Sequence, residues 1–154
     1  MSASADSVTP SRSGSCLCGA VKFTAHGEPL EIDACHCGMC RRQTGGGAYV
    51  AAQFKGGVTI DQGEQLSWYK GSDWGERGFC STCGSAVAWR LQQFPDKLGV
   101  SLGAVDDTTD LKIEAHIFTD SGPDYYKIPN DIPHKTGAQV MEEFMAKMAN
   151  KEGN

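Results

Sequence analysis

The residues of this 154-residue chain that could carry out chemistry are mainly its seven cysteines. They fall into three tight groups, which are "CLC" (Cys16, Cys18), "CHCGMC" (Cys35, Cys37, Cys40) and "FCSTCGS" (Cys80, Cys83). Grouped thiols can form disulfides, act as a redox couple, supply a nucleophile or bind a metal ion. Isolated buried cysteines would not gather in this way, so the grouping itself indicates one of these chemistries.

The number and spacing of the cysteines favour a metal. Seven is odd, so a framework of disulfides leaves one thiol over. A thioredoxin-like couple at Cys37/Cys40 or Cys80/Cys83 needs a strand before the motif and a helix after it, whereas "FCSTCGSAVAWRL" continues into a strand-like run. A Cys-x-x-Cys pair followed by glycine is typical of a zinc knuckle, and four thiolates close the coordination shell of one zinc ion. Four plus three ligands therefore predict one closed metal site and one site with a free coordination position. Iron–sulfur clusters are the alternative to zinc, because they also use thiolate ligands.

The composition excludes several other classes of protein. A net charge of −5 argues against nucleic acid and anionic membranes as partners, because both carry dense negative charge. No apolar run approaches the roughly 18 residues of a membrane-spanning helix. The stretch "MSASADSVTPSRSGS" lacks the apolar core of a secretory signal. We therefore predict a cytoplasmic location, where stable disulfides are disfavoured. No pattern indicates the oligomeric state.

The segments that must position the cysteines are predicted to be mainly strands. Short alternating stretches recur and are separated by Gly, Asp and Pro. In "AVKFTAHG" the alternation places Val21, Phe23 and Ala25 on one face. Further strand candidates cover 48–54, 57–60, 65–71, 85–91, 97–103 and 111–118.

One helical pattern occupies the C-terminal end of the chain. In "TGAQVMEEFMAKMANKE" the apolar residues that share one helical face are Val140, Met141, Phe144, Met145 and Met148. Packing on the chain's own sheet explains this stripe, and contact with a partner chain is the alternative. The chain is thus predicted to have a flexible tail over 1–13, one zinc-binding domain over 14–135, and a helix and tail over 136–154.

The motifs, taken in order, resemble a known family. "GSCLCGAVKF", "CHCGMCRRQTG", "RGFCSTCGSAVAW" and "HIFTDSGPDYYKIPNDIP" follow one another as in the glutathione-dependent formaldehyde-activating enzyme (GFA) family, whose domain also occurs in centromere protein V. The resemblance runs from about Gly14 to about Pro133 and includes every cysteine. It implies an all-β, Mss4-like or β-tent fold of opposed antiparallel sheets with zinc sites.

The resemblance also implies which cysteines share a metal, a partition that spacing alone leaves open. A structural zinc would be held by Cys16, Cys18, Cys80 and Cys83. A second zinc, with a free coordination position and partial occupancy expected, would be held by Cys35, Cys37 and Cys40, which act in the reaction as its ligands. Two zinc ions per chain are therefore expected.

The activity implied by the resemblance is that of a carbon–sulfur lyase. The family reaction joins glutathione to formaldehyde and gives S-hydroxymethylglutathione, so a small, glutathione-like thiol is the expected partner. Arg41 and Arg42 are candidate substrate-binding residues, because guanidinium groups match carboxylates geometrically. His36 lies between two ligands and its side chain should point away from theirs, which favours a hydrogen-bonding or packing role. The alternative function is a non-catalytic, zinc-stabilised binding module.

Overall fold

The computed structural model describes residues 9–128 and 131–152. Within these ranges the chain is mainly β, as predicted, with eleven strands and two α-helices. The strands are β1 (Ser11–Ser15), β2 (Lys22–His26), β3 (Pro29–Cys35), β4 (Tyr49–Phe54), β5 (Val58–Gln62), β6 (Leu66–Lys70), β7 (Gly75–Cys80), β8 (Ala86–Leu91), β9 (Gly99–Ser101), β10 (Ala115–Ile117) and β11 (His134–Lys135). The α-helices are α1 (Gly38–Thr44) and α2 (Gly137–Glu152), and single 3-10 turns occupy Leu102–Ala104 and Thr119–Ser121.

The chain divides into two compact units. The first contains the described residues up to 30 together with 53–108. It holds a three-stranded antiparallel sheet in the order β1-β2-β5 and four further antiparallel strands in the order β9-β8-β7-β6. The predicted inward face of β2 and its preceding residue is confirmed, because Val21, Phe23 and Ala25 are all buried.

Strand β1 begins earlier than the predicted domain boundary. Ser11 pairs with His26 and Ser13 pairs with Thr24, so residues 11–13 are part of a sheet. Of the rest of the predicted tail, Thr9 and Pro10 belong to no strand or helix, and residues 1–8 lie outside the described residues. The serine-rich composition of residues 11–15 resembles a linker, but their pairing with β2 determines their structure.

The Phe23 ring and the Ala104 carbonyl group leave no room for a side chain at position 14, which gives a first testable prediction. A Cβ there would lie 2.2 Å from Phe23 Cζ and 2.5 Å from the Ala104 carbonyl oxygen. We expect Gly14→Ala to lower the free energy of unfolding by about 1–3 kcal/mol, as overpacking does in other cores. Gly103→Ala is the matched control, since nothing lies within 4 Å of its added Cβ. Urea melts of both variants check this, and equal stabilities would contradict it.

The second unit contains 31–52 and the described residues from 109 onward. Its strands lie in the order β11-β10-β3-β4. Strand β10 is parallel to both β3 and β11, with His116 opposite Ala34 on one side and opposite His134 on the other. The family resemblance implies antiparallel sheets, whereas these two strand pairings are parallel. They bring residues 80 positions apart in sequence side by side.

Helix α1 was not predicted, because seven residues are too few to show a helical period. The Cys37 side chain caps its N-terminus by accepting a hydrogen bond from the Cys40 backbone N–H at 3.4 Å. The helix therefore begins at the cysteine motif itself, and its first turn places Cys37 and Cys40 on one side.

Helix α2 begins within one residue of its predicted start, and the Gly137 backbone N–H donates to Asp120 Oδ1 at 2.7 Å. Its apolar stripe is narrower than predicted. Met141 and Met145 are 43% and 62% exposed, whereas the other three stripe residues are half-buried. No helix in the described part of the chain has the length and apolar character needed to cross a membrane.

Candidate metal centres

Four cysteines of the first unit converge at one point. Cys16 and Cys18 follow β1, whereas Cys80 ends β7 and Cys83 lies in the next turn. The sulfur of Cys18 lies 3.6 Å from that of Cys16 and 3.8 Å from that of Cys80. All four sulfur atoms lie within 4.8 Å of one another. We call this set the four-cysteine cluster.

The spacing of these sulfurs fits zinc. A Zn–S bond is about 2.3 Å, so the sulfurs of a tetrahedral site lie about 3.8 Å apart. The turns after both cysteine pairs are shaped for such a site, with Gly19 and Gly84 at φ values of 80° and 78°. These left-handed residues tighten each turn, and the Val21 backbone N–H donates to the Cys16 sulfur at 3.2 Å. Clustered thiols with amide donors and this separation match the donor set of a structural zinc.

Ser85 supports this cluster and was missed by sequence reasoning. Its hydroxyl lies 3.1 Å from the Cys83 sulfur and accepts a hydrogen bond from the Leu17 backbone N–H at 3.0 Å. The hydrogen bond from Ser85 lowers the pKa of Cys83 to about 5. The residue after "CSTCG" thus favours the thiolate form that metal binding needs.

The second unit holds the remaining three cysteines. Cys35 ends β3, Cys37 caps α1, and Cys40 is buried in the first turn of α1. Their sulfurs lie within 4.8 Å of one another, and no fourth ligand from His, Cys, Asp or Glu joins them among the described residues. We call this set the three-cysteine cluster. Both sets are the ones that the family resemblance implies, and all seven cysteines are free thiols.

Protonation in the three-cysteine cluster is strongly asymmetric. Hydrogen bonds from Cys35 and then Cys40 lower the pKa of Cys37 to about 2. The same contact with Cys37 is the largest cause that raises the pKa of Cys35. One thiolate therefore forms readily, while further ionisation places like charges side by side. A bound cation would offset the repulsion between the thiolates, so this donor set is also chemically suited to a metal.

The two predicted substrate-binding arginines follow the three-cysteine cluster on α1. Arg42 is exposed and donates to the Gly38 carbonyl oxygen at 3.2 Å. Arg41 is half-exposed, and its charge lies near enough to the Tyr126 hydroxyl to offset part of the rise that burial causes in the pKa of Tyr126. Both arginines therefore lie within one helical turn of Cys40 in the sequence of α1.

His36 does not join the sulfur atoms on either side of it. It is buried, its Nε2 lies 2.9 Å from His116 Nδ1, and its Nδ1 is hydrogen-bonded to the Tyr126 hydroxyl. Burial, followed by the charges of His116 and His134, lowers the pKa of His36. Both ring nitrogens are engaged with protein groups, in agreement with the predicted hydrogen-bonding role.

His116 and Tyr126 are the other residues that sequence reasoning left without a role. Burial lowers the pKa of His116, and His134 lowers it further. Burial also raises the pKa of Tyr126, with a smaller effect from Tyr125. The imidazoles are thus kept neutral and the phenol protonated. In the sequence, His116 stands in "HIF" and Tyr126 in "DYYK". Neither pattern carries information about contact with His36.

Known proteins are similar in sequence to this chain over most of its length. A sequence profile of the family described as "Glutathione-dependent formaldehyde-activating enzyme" matches residues 11–121. A Halomonas elongata protein named "Putative glutathione-dependent formaldehyde-activating enzyme" is 29% identical over 143 residues, covering 86% of this chain and 90% of that protein. A Schizosaccharomyces pombe protein named "Uncharacterized lyase" is 24% identical over 136 residues, covering 88% of this chain and 96% of the relative.

The fold is shared with a solved structure as well. The crystal structure of a Rhodobacter sphaeroides protein has a TM-score of 0.53 and 22% sequence identity, covering 79% of this chain and 98% of that chain. The family profile spans both cysteine clusters and the strands that carry them. The chain therefore belongs to the glutathione-dependent formaldehyde-activating enzyme family.

Proposed function

We propose that this protein is a zinc-dependent enzyme of the carbon–sulfur lyase class that acts on a thiol–aldehyde adduct. The specific reaction proposed is the addition of glutathione to formaldehyde, which gives S-hydroxymethylglutathione, and its reversal. The observation that carries the proposal is the difference between the two clusters, four sulfurs in one and three in the other. In tetrahedral zinc sites a complete protein shell is structural, whereas an open position is the mark of a catalytic site.

The proposed roles of the ligands follow from this difference. Cys16, Cys18, Cys80 and Cys83 would hold a structural zinc, and Cys35, Cys37 and Cys40 would hold the second. When bound there, zinc supplies a position at which an incoming thiol is held as its thiolate. The names of the two relatives, one a formaldehyde-activating enzyme and one a lyase, support the same class of reaction.

The chain's own residues select and orient the thiol in this proposal. Arg41 and Arg42 directly follow Cys40 on α1, and glutathione carries two carboxylates that their guanidinium groups would bind. Thiols add to formaldehyde readily in water, so the enzyme needs only a modest acceleration. Orientation of the two reactants is sufficient to supply it.

Two-dimensional exchange NMR on a mixture of formaldehyde and glutathione tests the proposal. We expect wild-type protein to speed the interconversion of free and hydroxymethylated glutathione, and Cys37→Ser to return it to the rate without protein. Met39→Leu is the matched control, because it changes the same hexapeptide at a partly exposed residue that is not a ligand. Equal rates in every sample, with no glutathione binding by calorimetry, would favour another thiol substrate or the non-catalytic binding module.

A further inference from the structure

A chain of three polar rings leads away from the three-cysteine cluster. It consists of Tyr126, His36 and His116, joined by the two hydrogen bonds of His36 described above. His36 and His116 are only 3% and 7% exposed, whereas Tyr126 is half-buried. A fourth ring, the exposed His134, contacts His116 with ring centroids 5.4 Å apart. Buried polar groups require hydrogen-bond partners, and this arrangement supplies one at each ring nitrogen of His36.

The backbone fixes this chain of rings beside the cluster. His36 is the residue between Cys35 and Cys37, and its backbone N–H donates to the Ile117 carbonyl oxygen at 2.9 Å. The parallel pairing of β10 with β3 holds His116 next to this position. His36 binds the Tyr126 hydroxyl, so the segment that joins Cys35 to Cys37 also fixes the position of that hydroxyl. Cys35 and Arg41 both lie near enough to influence that hydroxyl electrostatically.

The hydrogen bonds can run in either of two directions. In the first, the Tyr126 O–H donates to His36 Nδ1, and His36 Nε2–H donates to His116 Nδ1. In the second, His116 Nδ1–H donates to His36 Nε2, and His36 Nδ1–H donates to the Tyr126 oxygen. Both imidazoles are neutral in both directions, and each nitrogen can be donor or acceptor. Only the second direction frees the Tyr126 O–H to donate to a ligand.

We infer that the Tyr126 hydroxyl is a catalytic hydrogen-bond donor that binds the oxygen of the thiol–aldehyde adduct, with His36 and His116 as the positioning residues that free it to do so. This inference rests on the proposed function and deepens it, since it names the group that recognises the aldehyde-derived oxygen. A phenol held by a buried imidazole has a fixed direction, which is the property that stabilises charge developing in a transition state.

The step balances without ionisation of the phenol. The thiol sulfur donates a lone pair to the carbonyl carbon, and the carbon–oxygen π pair moves to the oxygen. The thiol proton leaves to water, and the oxygen takes one proton from water while Tyr126 donates a hydrogen bond to it. In the reverse direction the hydroxyl loses its proton to water and an oxygen electron pair re-forms the carbonyl π bond. The carbon–sulfur bond breaks, its electron pair stays on sulfur, and sulfur takes a proton from water. Tyr126 keeps its own proton throughout.

Binding of two stable analogues tests the contact apart from turnover. S-(2-hydroxyethyl)glutathione carries the hydroxyl and S-propylglutathione lacks it. We expect wild type to bind the hydroxyl analogue about fivefold more tightly by calorimetry, the effect of one neutral hydrogen bond. Tyr126→Phe should abolish this preference. Tyr125→Phe is the matched control, because that exposed neighbour donates its hydroxyl to the Gly46 carbonyl oxygen instead.

The tautomer of His36 gives a second measurement that a merely structural role would not move. With the hydroxyl analogue bound, nitrogen-15 NMR should find the His36 proton on Nδ1, because the phenol proton is then donated to the ligand. A proton on Nε2 in that complex would overturn the inference. So would equal binding of the two analogues by wild type, even when the exchange reaction is accelerated.

The same variants separate failure of this inference from failure of the proposed function. In the exchange experiment we expect Tyr126→Phe to lower the acceleration about tenfold, the upper end for one neutral hydrogen bond, with unchanged zinc content. A hydroxyl preference that Tyr126→Phe removes, found in a wild type that accelerates nothing, would uphold the contact and refute the reaction. Acceleration that persists in full in Tyr126→Phe would refute the catalytic role.

Discussion

Cys80→Ser should unfold the protein, whereas Cys37→Ser should leave a folded β domain with one zinc ion. Cys80 is fully buried at the end of β7, and its sulfur lies 3.8 Å from that of Cys18, which follows β1. Structural zinc sites contribute about 10–16 kcal/mol of apparent binding free energy in isolated peptides. Because whole domains are stable by only about 5–15 kcal/mol, loss of that site removes most of the folded population. Circular dichroism melts with metal analysis measure both outcomes.

Thr82→Ser controls for changes in the turn itself. Thr82 lies between Cys80 and Cys83, and its hydroxyl donates to Gln65 Oε1 at 3.3 Å, a hydrogen bond that serine can keep. This variant should melt like wild type with two zinc ions. If Cys80→Ser and Cys37→Ser are equally unfolded, the division into a structural and a catalytic cluster is wrong.

Chelation of the wild-type protein should proceed in two separate stages. Protein purified without chelator should carry up to two zinc ions, one for each cluster. The three-cysteine cluster has one ligand fewer, so a strong chelator should empty it first and leave the circular dichroism spectrum unchanged. Removal from the four-cysteine cluster should then coincide with loss of the spectrum, because metal binding there is folding free energy.

Simultaneous measurement of released zinc and ellipticity distinguishes these stages. Release of both ions in one step that coincides with unfolding would contradict independent roles for the two clusters. An iron–sulfur absorption band, or metal-free protein with paired disulfides, would contradict the zinc assignment itself.

Much of the candidate site was readable from the sequence because its ligands are local. The six residues of "CHCGMC" supply a complete cluster, and the turns "CLCG" and "CSTCG" each bring two thiols together. Alternation in β2 likewise predicted its buried face, since a strand's period is fixed by the backbone. The pairing of the two turns into one cluster needed the family resemblance, because 62 residues separate Cys18 from Cys80.

The parts that could not be predicted depend on parallel pairing. His36 meets His116 across 80 residues of sequence because β10 lies beside β3. Parallel strands carry no turn between them that would reveal their register. Helix α1 was hidden for a different reason, since its N-terminal cap is a cysteine side chain and its length is two turns.

The two clusters also differ in when their sulfurs become available during synthesis. The cysteines of the three-cysteine cluster are two to five residues apart, so all of its ligands are present on a nascent chain as soon as Cys40 has left the ribosome. The four-cysteine cluster must wait for Cys83, and closing its loop costs about 2–3 kcal/mol more in chain entropy. Cys16 and Cys18 therefore wait for their two partners while all three sulfurs of the other cluster are already present. The order of the motifs along the chain thus sets the order in which the two clusters can form, and the four-cysteine cluster is the second.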